Sequence, residues 1–176
     1  NAVGVFAGII ILAAFVLVEL RADDPILDVR YFRRRGFSAG SVSVGMQFLT
    51  IFGFFLLIVQ YLQLVKGYDA IGASLSLAPM VVPVMVFSLL SPKITAGVGL
   101  RAVSVVGVGA IAVGMVFLSR LGVDSSYWDI LWPMVIASVG LGLSTAPATS
   151  AIVSDIPADE QGVAAAVNDA MREVGA

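Results

Sequence analysis

Four polar residues interrupt the alanine-rich stretch GVAAAVNDAMREVG at 162–175: Asn168, Asp169, Arg172 and Glu173. Asp169 stands three residues before Arg172 and four before Glu173, so on a helix all three can share one face. Counted from Gly162, Asp169 would lie roughly 10 Å along the axis at 1.5 Å per residue. A carboxylate at that depth in a bilayer is costly unless it pairs with a cation or faces a polar cavity. Two chemistries fit the pattern. One is reversible binding of a proton or cation, with Asp169, Arg172 and Glu173 as the coupling groups; the other is an ion pair that fixes a helix end.

Uncharged amides form a second set. Gln60 and Gln63 end a long apolar run, three apart and hence on one helical face, with Gln47 earlier in the same run. Together with Asn168 they are the expected polar contacts of a substrate cavity; the other reading of Gln60 and Gln63 is that they mark the membrane edge. A third set is made of helix breakers. Pro79 and Pro83 lie four apart within one apolar run and Pro147 within another, close to Gly142. Each proline removes a backbone hydrogen bond, and a carbonyl released within a membrane must face protein or a water-filled cavity. Broken helices near binding sites have this composition, as do simple packing kinks. Gly107, Gly109, Gly114, Gly140 and Gly142 are small residues that let helices approach closely.

Other chemistry is excluded by composition. The 176 residues include no cysteine and no histidine, so thiolate, imidazole and common zinc chemistry have no ligands. Asp155, Asp159 and Glu160 cluster before the last segment, near the positive end of its dipole, but with no repeating ligand spacing. An integral-membrane lipid-modifying enzyme, such as a lipid-headgroup transferase, needs clustered carboxylates for metal or a reactive side chain and is therefore the weaker alternative. No cofactor, metal or nucleic acid is expected.

The elements that position these residues follow from hydropathy. The chain is 59% hydrophobic and only 12% charged, against about 25% charged in soluble domains. Apolar runs near the bilayer length of about 20 residues recur, which predicts an all-α integral membrane protein, a polytopic helical bundle. Helical segments are expected over 2–18, 38–65, 70–90, 102–118 and 130–153, with a last one starting at Gly162. The expected organisation is a transmembrane helix in 1–18, a loop with a short interfacial helix in 19–37, and a transmembrane bundle over 38–176 truncated inside its fifth helix. The sequence starts inside one apolar run and stops inside a helix-like one, so it reads as part of a longer protein. The first run, without a basic flank or initiator methionine, is not read as a signal peptide.

Charge sets the orientation. Arg21, Arg30, Arg33, Arg34, Arg35, Lys93 and Arg101 fall on one side and only Lys66 and Arg120 on the other. The positive-inside rule makes loops 19–37, 91–101 and 154–162 cytoplasmic. Tyr61, Tyr68, Tyr127, Trp128 and Trp132 then gather at the outer interface, where amphipathic rings prefer to lie. In RADDPILDVRYFRRRGF, Asp24 and Pro25 can start the interfacial helix and Ile26, Val29 and Phe32 supply its apolar stripe; the arginines would then sit near anionic headgroups.

Several strings carry a resemblance. Gln60-Tyr61-Leu62-Gln63, Gly67-Tyr68, Gly72-Ala73-Ser74-Leu75 and Leu77-Ala78-Pro79 resemble a signature of the fourteen-helix drug/proton antiporters of the major facilitator superfamily. DPILDVRYFRRRGF resembles that family's linker, with Ile26 in place of a leucine. GLGLSTAPATSAIVSDIP and GVAAAVNDAMREVG are similar to its penultimate motifs, in the same order. The resemblance implies a partial major facilitator fold, mainly the C-terminal half, running from about the eighth helix into the thirteenth. It also implies proton-driven export of small hydrophobic or cationic compounds by alternating access, with the lipid bilayer, the substrate and protons as partners; a same-fold carrier of another metabolite is the alternative. One position departs: Ala96 and Gly97 stand where the superfamily's Asp-Arg-x-Gly-Arg loop has its first charges, leaving Gly99 and Arg101. Charge locking at that loop is not expected. The family's membrane carboxylates belong to helices before this stretch.

Overall fold

A chain in hydrocarbon must satisfy each backbone N–H and C=O within itself, so the long apolar runs fold as helices. The computed structural model describes residues 29–154, 156 and 161–176, with residues 8, 10, 11, 14, 17, 18 and 21 of the first run. The interfacial helix expected from Asp24-Pro25, most of the span expected over 2–18, and Asp155, Asp159 and Glu160 lie outside the described residues. Among the described residues all regular structure is helical. A short 3-10 turn, Val29–Arg33, leads into α1, Arg35–Gln60, which continues as a π turn, Tyr61–Val65. Then come α2, Ala70–Leu77, a 3-10 turn over Ala78–Met80, α3, Val81–Val98, α4, Leu100–Leu118, α5, Tyr127–Ser154, and α6, Gln161–Gly175. Arg35–Val65, Ala70–Val98, Leu100–Leu118 and Tyr127–Val153 are each long and apolar enough to cross a membrane.

One boundary differs from expectation. Residues 91–101 were expected as a connecting loop, yet α3 runs on to Val98 and α4 starts at Leu100. The whole connection is Gly99, at φ +90°, a conformation open to glycine without steric cost. Ser91-Pro92-Lys93 reads as a loop because charge and proline cluster there. In a membrane protein such residues mark where hydrocarbon ends, and a helix can continue past that plane with its lysine reaching the headgroups. On the other side, Gly67 at φ +69° turns the chain, and the Asp69 carboxylate caps α2 by accepting from the Gly72 N–H at 2.9 Å.

α5 is the central element. In its most apolar window 56% of residues are buried, against 17–22% in the other three spans, and it packs on α1, α3 and α4. Its crossing with α4 depends on missing side chains: a Cβ at Gly107 would fall 2.7 Å from the Cβ of Ser144, and one at Gly140 the same distance from the Ile111 nitrogen. Among the described residues nothing lies within 4 Å of a Cβ built at Gly109, so it makes no close approach to the helices described; it lies about 200° around the axis from Gly107 at 3.6 residues per turn.

Buried apolar residues form two clusters. The inner one joins Tyr31, Phe37 and Val44 to Ala148, Ile152, Ala164 and Val167. The outer one joins Phe54, Ile58 and Leu62 to Ala73, Met80, Ile130 and Met134.

Candidate functional site

A polar seam starts at Gln47 in α1, which is only 5% exposed. Its amide oxygen accepts from the Ser144 hydroxyl of α5 at 3.0 Å, and its nitrogen donates to Ser43 one turn back at 2.9 Å. Asn168 of α6 is also buried, and its oxygen accepts from the Thr149 hydroxyl of α5 at 3.3 Å. Two of the four sequence-predicted amides therefore tie α1 and α6 to the central helix.

Beside the seam lies a cavity of about 280 Å³ between α1, the start of α3, α4 and α5. Phe54, Phe55, Met80, Met85 and Met115 supply its wall, and among the described residues Thr50 and Ser138 supply its hydroxyls. Those hydroxyls turn back to carbonyls of their own helices, Met46 at 2.7 Å and Met134 at 2.8 Å. Among the described residues none that lines this cavity is ionisable, and Gln47, one turn before Thr50, is not on its wall. Methionine and phenylalanine give a soft, polarisable lining suited to apolar and aromatic groups. A groove of about 430 Å³ shares Thr50, Phe54 and Met115 with the cavity and extends it outward to Tyr61 and Leu121.

Pro79 and Pro83 border this cavity through the residues between and beyond them. The helix breaks at Pro79 into the 3-10 turn, and Met80, Val81 and Val84 line the wall. Pro147 is buried within the unbroken α5, as is Gly142, where an added Cβ would come within 2.7 Å of the Val84 carbonyl. Sequence reasoning passed over the hydroxyls that complete the picture: Ser91, Ser144 and Thr149. The available signal was their register with the prolines and amides, since serine and threonine recur along α5 at helical spacing.

Gln60 and Gln63 sit at the outer end. Gln60 is exposed and borders an open groove with Phe52, Phe55 and Gly175, while Gln63 is exposed within the π turn. That turn, closed by the Lys66 N–H on the Tyr61 carbonyl at 3.1 Å, admits an extra residue and re-aims the side chains after it. Tyr61, at the start of the turn, donates to the Gly122 carbonyl at 2.7 Å, and the Lys66 ammonium, at its end, donates to the carbonyls of Val123, at 2.6 Å, and Ser125. The QYLQ string thus carries the clasp between two outer loops, with its glutamines on the faces left over.

The charged residues of α6 separate. Asp169 and Glu173 are exposed, whereas Arg172 is half-buried against α1. Its guanidinium lies 5.2 Å from the centre of the Phe48 ring, and its Nε is buried without a hydrogen-bond partner. Among the described residues no ion pair joins Arg172 to either carboxylate. Positions three apart differ by about 60° around a helix, enough here for the aromatic ring to draw the arginine aside.

A family model described as Major Facilitator Superfamily matches residues 1–176. The chain is 29% identical over 175 residues to a protein named multidrug efflux pump LfrA from Mycolicibacterium smegmatis, covering 99% of this chain and 34% of that protein. It is 30% identical over 172 residues to a puromycin resistance protein, pur8, from Streptomyces alboniger, covering 96% and 34%. With a multidrug resistance protein, Stp, from Mycobacterium tuberculosis it shares 26% identity over 163 residues, covering 93% and 30%. The chain spans about a third of the length of these curated relatives.

Proposed function

This chain belongs to the Major Facilitator Superfamily, and we propose that it supplies part of the transport path of a proton-coupled exporter of hydrophobic or cationic compounds. It is a multi-pass protein of the cell membrane, and relatives of this chain are named for multidrug efflux or antibiotic resistance. The observation that carries the proposal is the cavity lined by methionine and phenylalanine without an ionisable group. A strongly hydrated metabolite entering it would shed water without compensation. A flat apolar molecule, or the apolar body of a lipophilic cation, would gain burial and ring contacts there.

The other residues take roles around this cavity. Gln47, with Ser144, and Asn168, with Thr149, hold the walls and offer polar contacts as the helices shift; Gln60 and Gln63 face the outer end of the path. Pro79, Pro83, Pro147 and Gly142 give the two helices bordering the cavity places to bend or slide. Asp169, with Glu173 beside it, binds and releases the proton, and Arg172 answers that change by leaving or returning to Phe48. Alternating access then couples proton entry to substrate release.

The test is efflux of a fluorescent lipophilic cation from cells expressing the full-length protein, with and without a proton uncoupler. Uncoupler-sensitive efflux above the empty-vector level is expected. Equal dye retention in both strains under every imposed gradient would overturn the proposal.

A further inference from the structure

Pro147 has no N–H, so the carbonyl four residues earlier, that of Leu143, loses its helical donor. In a water-poor interior an unpaired carbonyl is costly. The Ser91 hydroxyl of α3 donates to that carbonyl at 2.7 Å, fully buried. The same event recurs at the other end with the helices exchanged. Pro79 cannot donate to Leu75 or Ser76; the Leu75 carbonyl accepts instead from the Ala78 N–H, and the Ser76 carbonyl accepts from the Tyr127 hydroxyl of α5 at 3.0 Å. Each helix thus lends a hydroxyl to a carbonyl beside or before the other's proline. The cavity wall formed by Met80 and Met85 on one side, and by Ser138 and Leu141 on the other, lies between these two bonds.

We propose that Ser91 and Tyr127 are positioning residues that clamp the span Ala70–Val98 to α5 on either side of the cavity, using proline-released carbonyls as their anchor points. This rests on reading the cavity as a substrate site only for its effect on transport; the clamp itself is a claim about packing. A hydroxyl–carbonyl bond across two helices breaks and re-forms without disturbing either helix's own ladder. The clamp therefore sets the width of the cavity and holds it at that width while a ligand is bound.

Pro147 provides a chemical test, carried out on the purified full-length protein. Ser91→Ala should lower the thermal midpoint in the wild-type background and have little effect in a Pro147→Ala background, where residue 147 regains an N–H for the Leu143 carbonyl. In proteoliposomes, Ser91→Ala should raise the half-saturating dye concentration about threefold, the size expected for one lost interhelical hydrogen bond, with a smaller change in maximal rate. An equal drop in midpoint in both backgrounds would overturn the clamp, as would an unchanged half-saturating concentration in an actively pumping Ser91→Ala variant. Because the thermal cycle needs no transport, a protein that pumps no dye still decides it.

Discussion

Gly107 and Gly109 lie two residues apart on α4 and should respond to alanine with opposite signs. At Gly107 the new methyl would stand 2.7 Å from the Ser144 Cβ, 2.9 Å from the Gly140 carbonyl oxygen and 3.0 Å from the Ser144 nitrogen. Carbon atoms pack at about 3.5–4.0 Å, so α4 and α5 would have to part by most of an ångström. Overpacking of this kind costs about 1–3 kcal/mol. The shift also moves Ser144, whose hydroxyl is bonded to Gln47, so the damage should reach the polar seam. At Gly109 nothing among the described residues lies within 4 Å, and against these helices alanine there only gains helix propensity, about 0.5–1 kcal/mol. The two variants should therefore differ by about 1.5–4 kcal/mol. The assay is thermal unfolding of the purified full-length protein in one detergent, followed by dye efflux from cells at matched expression. Gly107→Ala should melt lower and pump poorly, and Gly109→Ala should match or exceed the wild type. Equal shifts for the two alanine variants would refute the helix-crossing argument.

Asp169→Asn should cut uncoupler-sensitive efflux at least tenfold while leaving expression and thermal midpoint near wild type; full transport with an unchanged pH profile would remove Asp169 from the coupling role. Cysteines placed at Gln60 and Gln63 should react with a water-soluble maleimide applied from outside, and substrate should slow the reaction; inert, lipid-like behaviour at both sites would place them at the bilayer edge instead. Lys66→Met removes the ammonium from the Val123 and Ser125 carbonyls and should destabilise the protein by about 1–2 kcal/mol, the scale of charged hydrogen bonds partly open to water, as read from the melting midpoint. Phe48→Leu should lower the midpoint by the equivalent of about 0.5–1 kcal/mol, whereas Phe48→Trp should retain it; equal losses in both would assign the effect to packing rather than to Arg172.

The spans were legible because hydropathy in a bilayer leaves a chain little choice: the expected run over 38–65 ends where the π turn ends, and that over 102–118 differs from α4 by two residues. The boundary at 91–101 was not legible, since lysine and proline announce a membrane surface and a loop in the same letters. The amides were recognisable as special but their partners were not. Gln47 and Ser144 are 97 positions apart, and nothing in local spacing says which helix will face which. Arg172 shows the same limit from another direction. Sequence spacing offers it two carboxylates on its own helix, and the fold provides an aromatic ring on a neighbouring one. Gly109, similar by type to Gly107, differs only in the direction it faces.

What unites the cavity, the seam and the clamps is how this bundle uses polar groups in a nearly uncharged interior. With no aspartate, glutamate, lysine or arginine in residues 36–65, 70–92, 102–119 or 130–154, specificity between these helices has to come from hydroxyls, amides and backbone carbonyls. Interhelical bonds of this kind are worth only about 0.6 kcal/mol on average in membranes. That weakness is an asset in a transporter. A buried ion pair costs about 3–5 kcal/mol when one partner is removed, which would hold a helix in one position. Ser91 on Leu143, Tyr127 on Ser76, Ser144 on Gln47 and Thr149 on Asn168 can each be exchanged for a new partner at little cost, provided a partner is near. The proline-released carbonyls matter for that reason, because they are acceptors that stay available after the helices have slid.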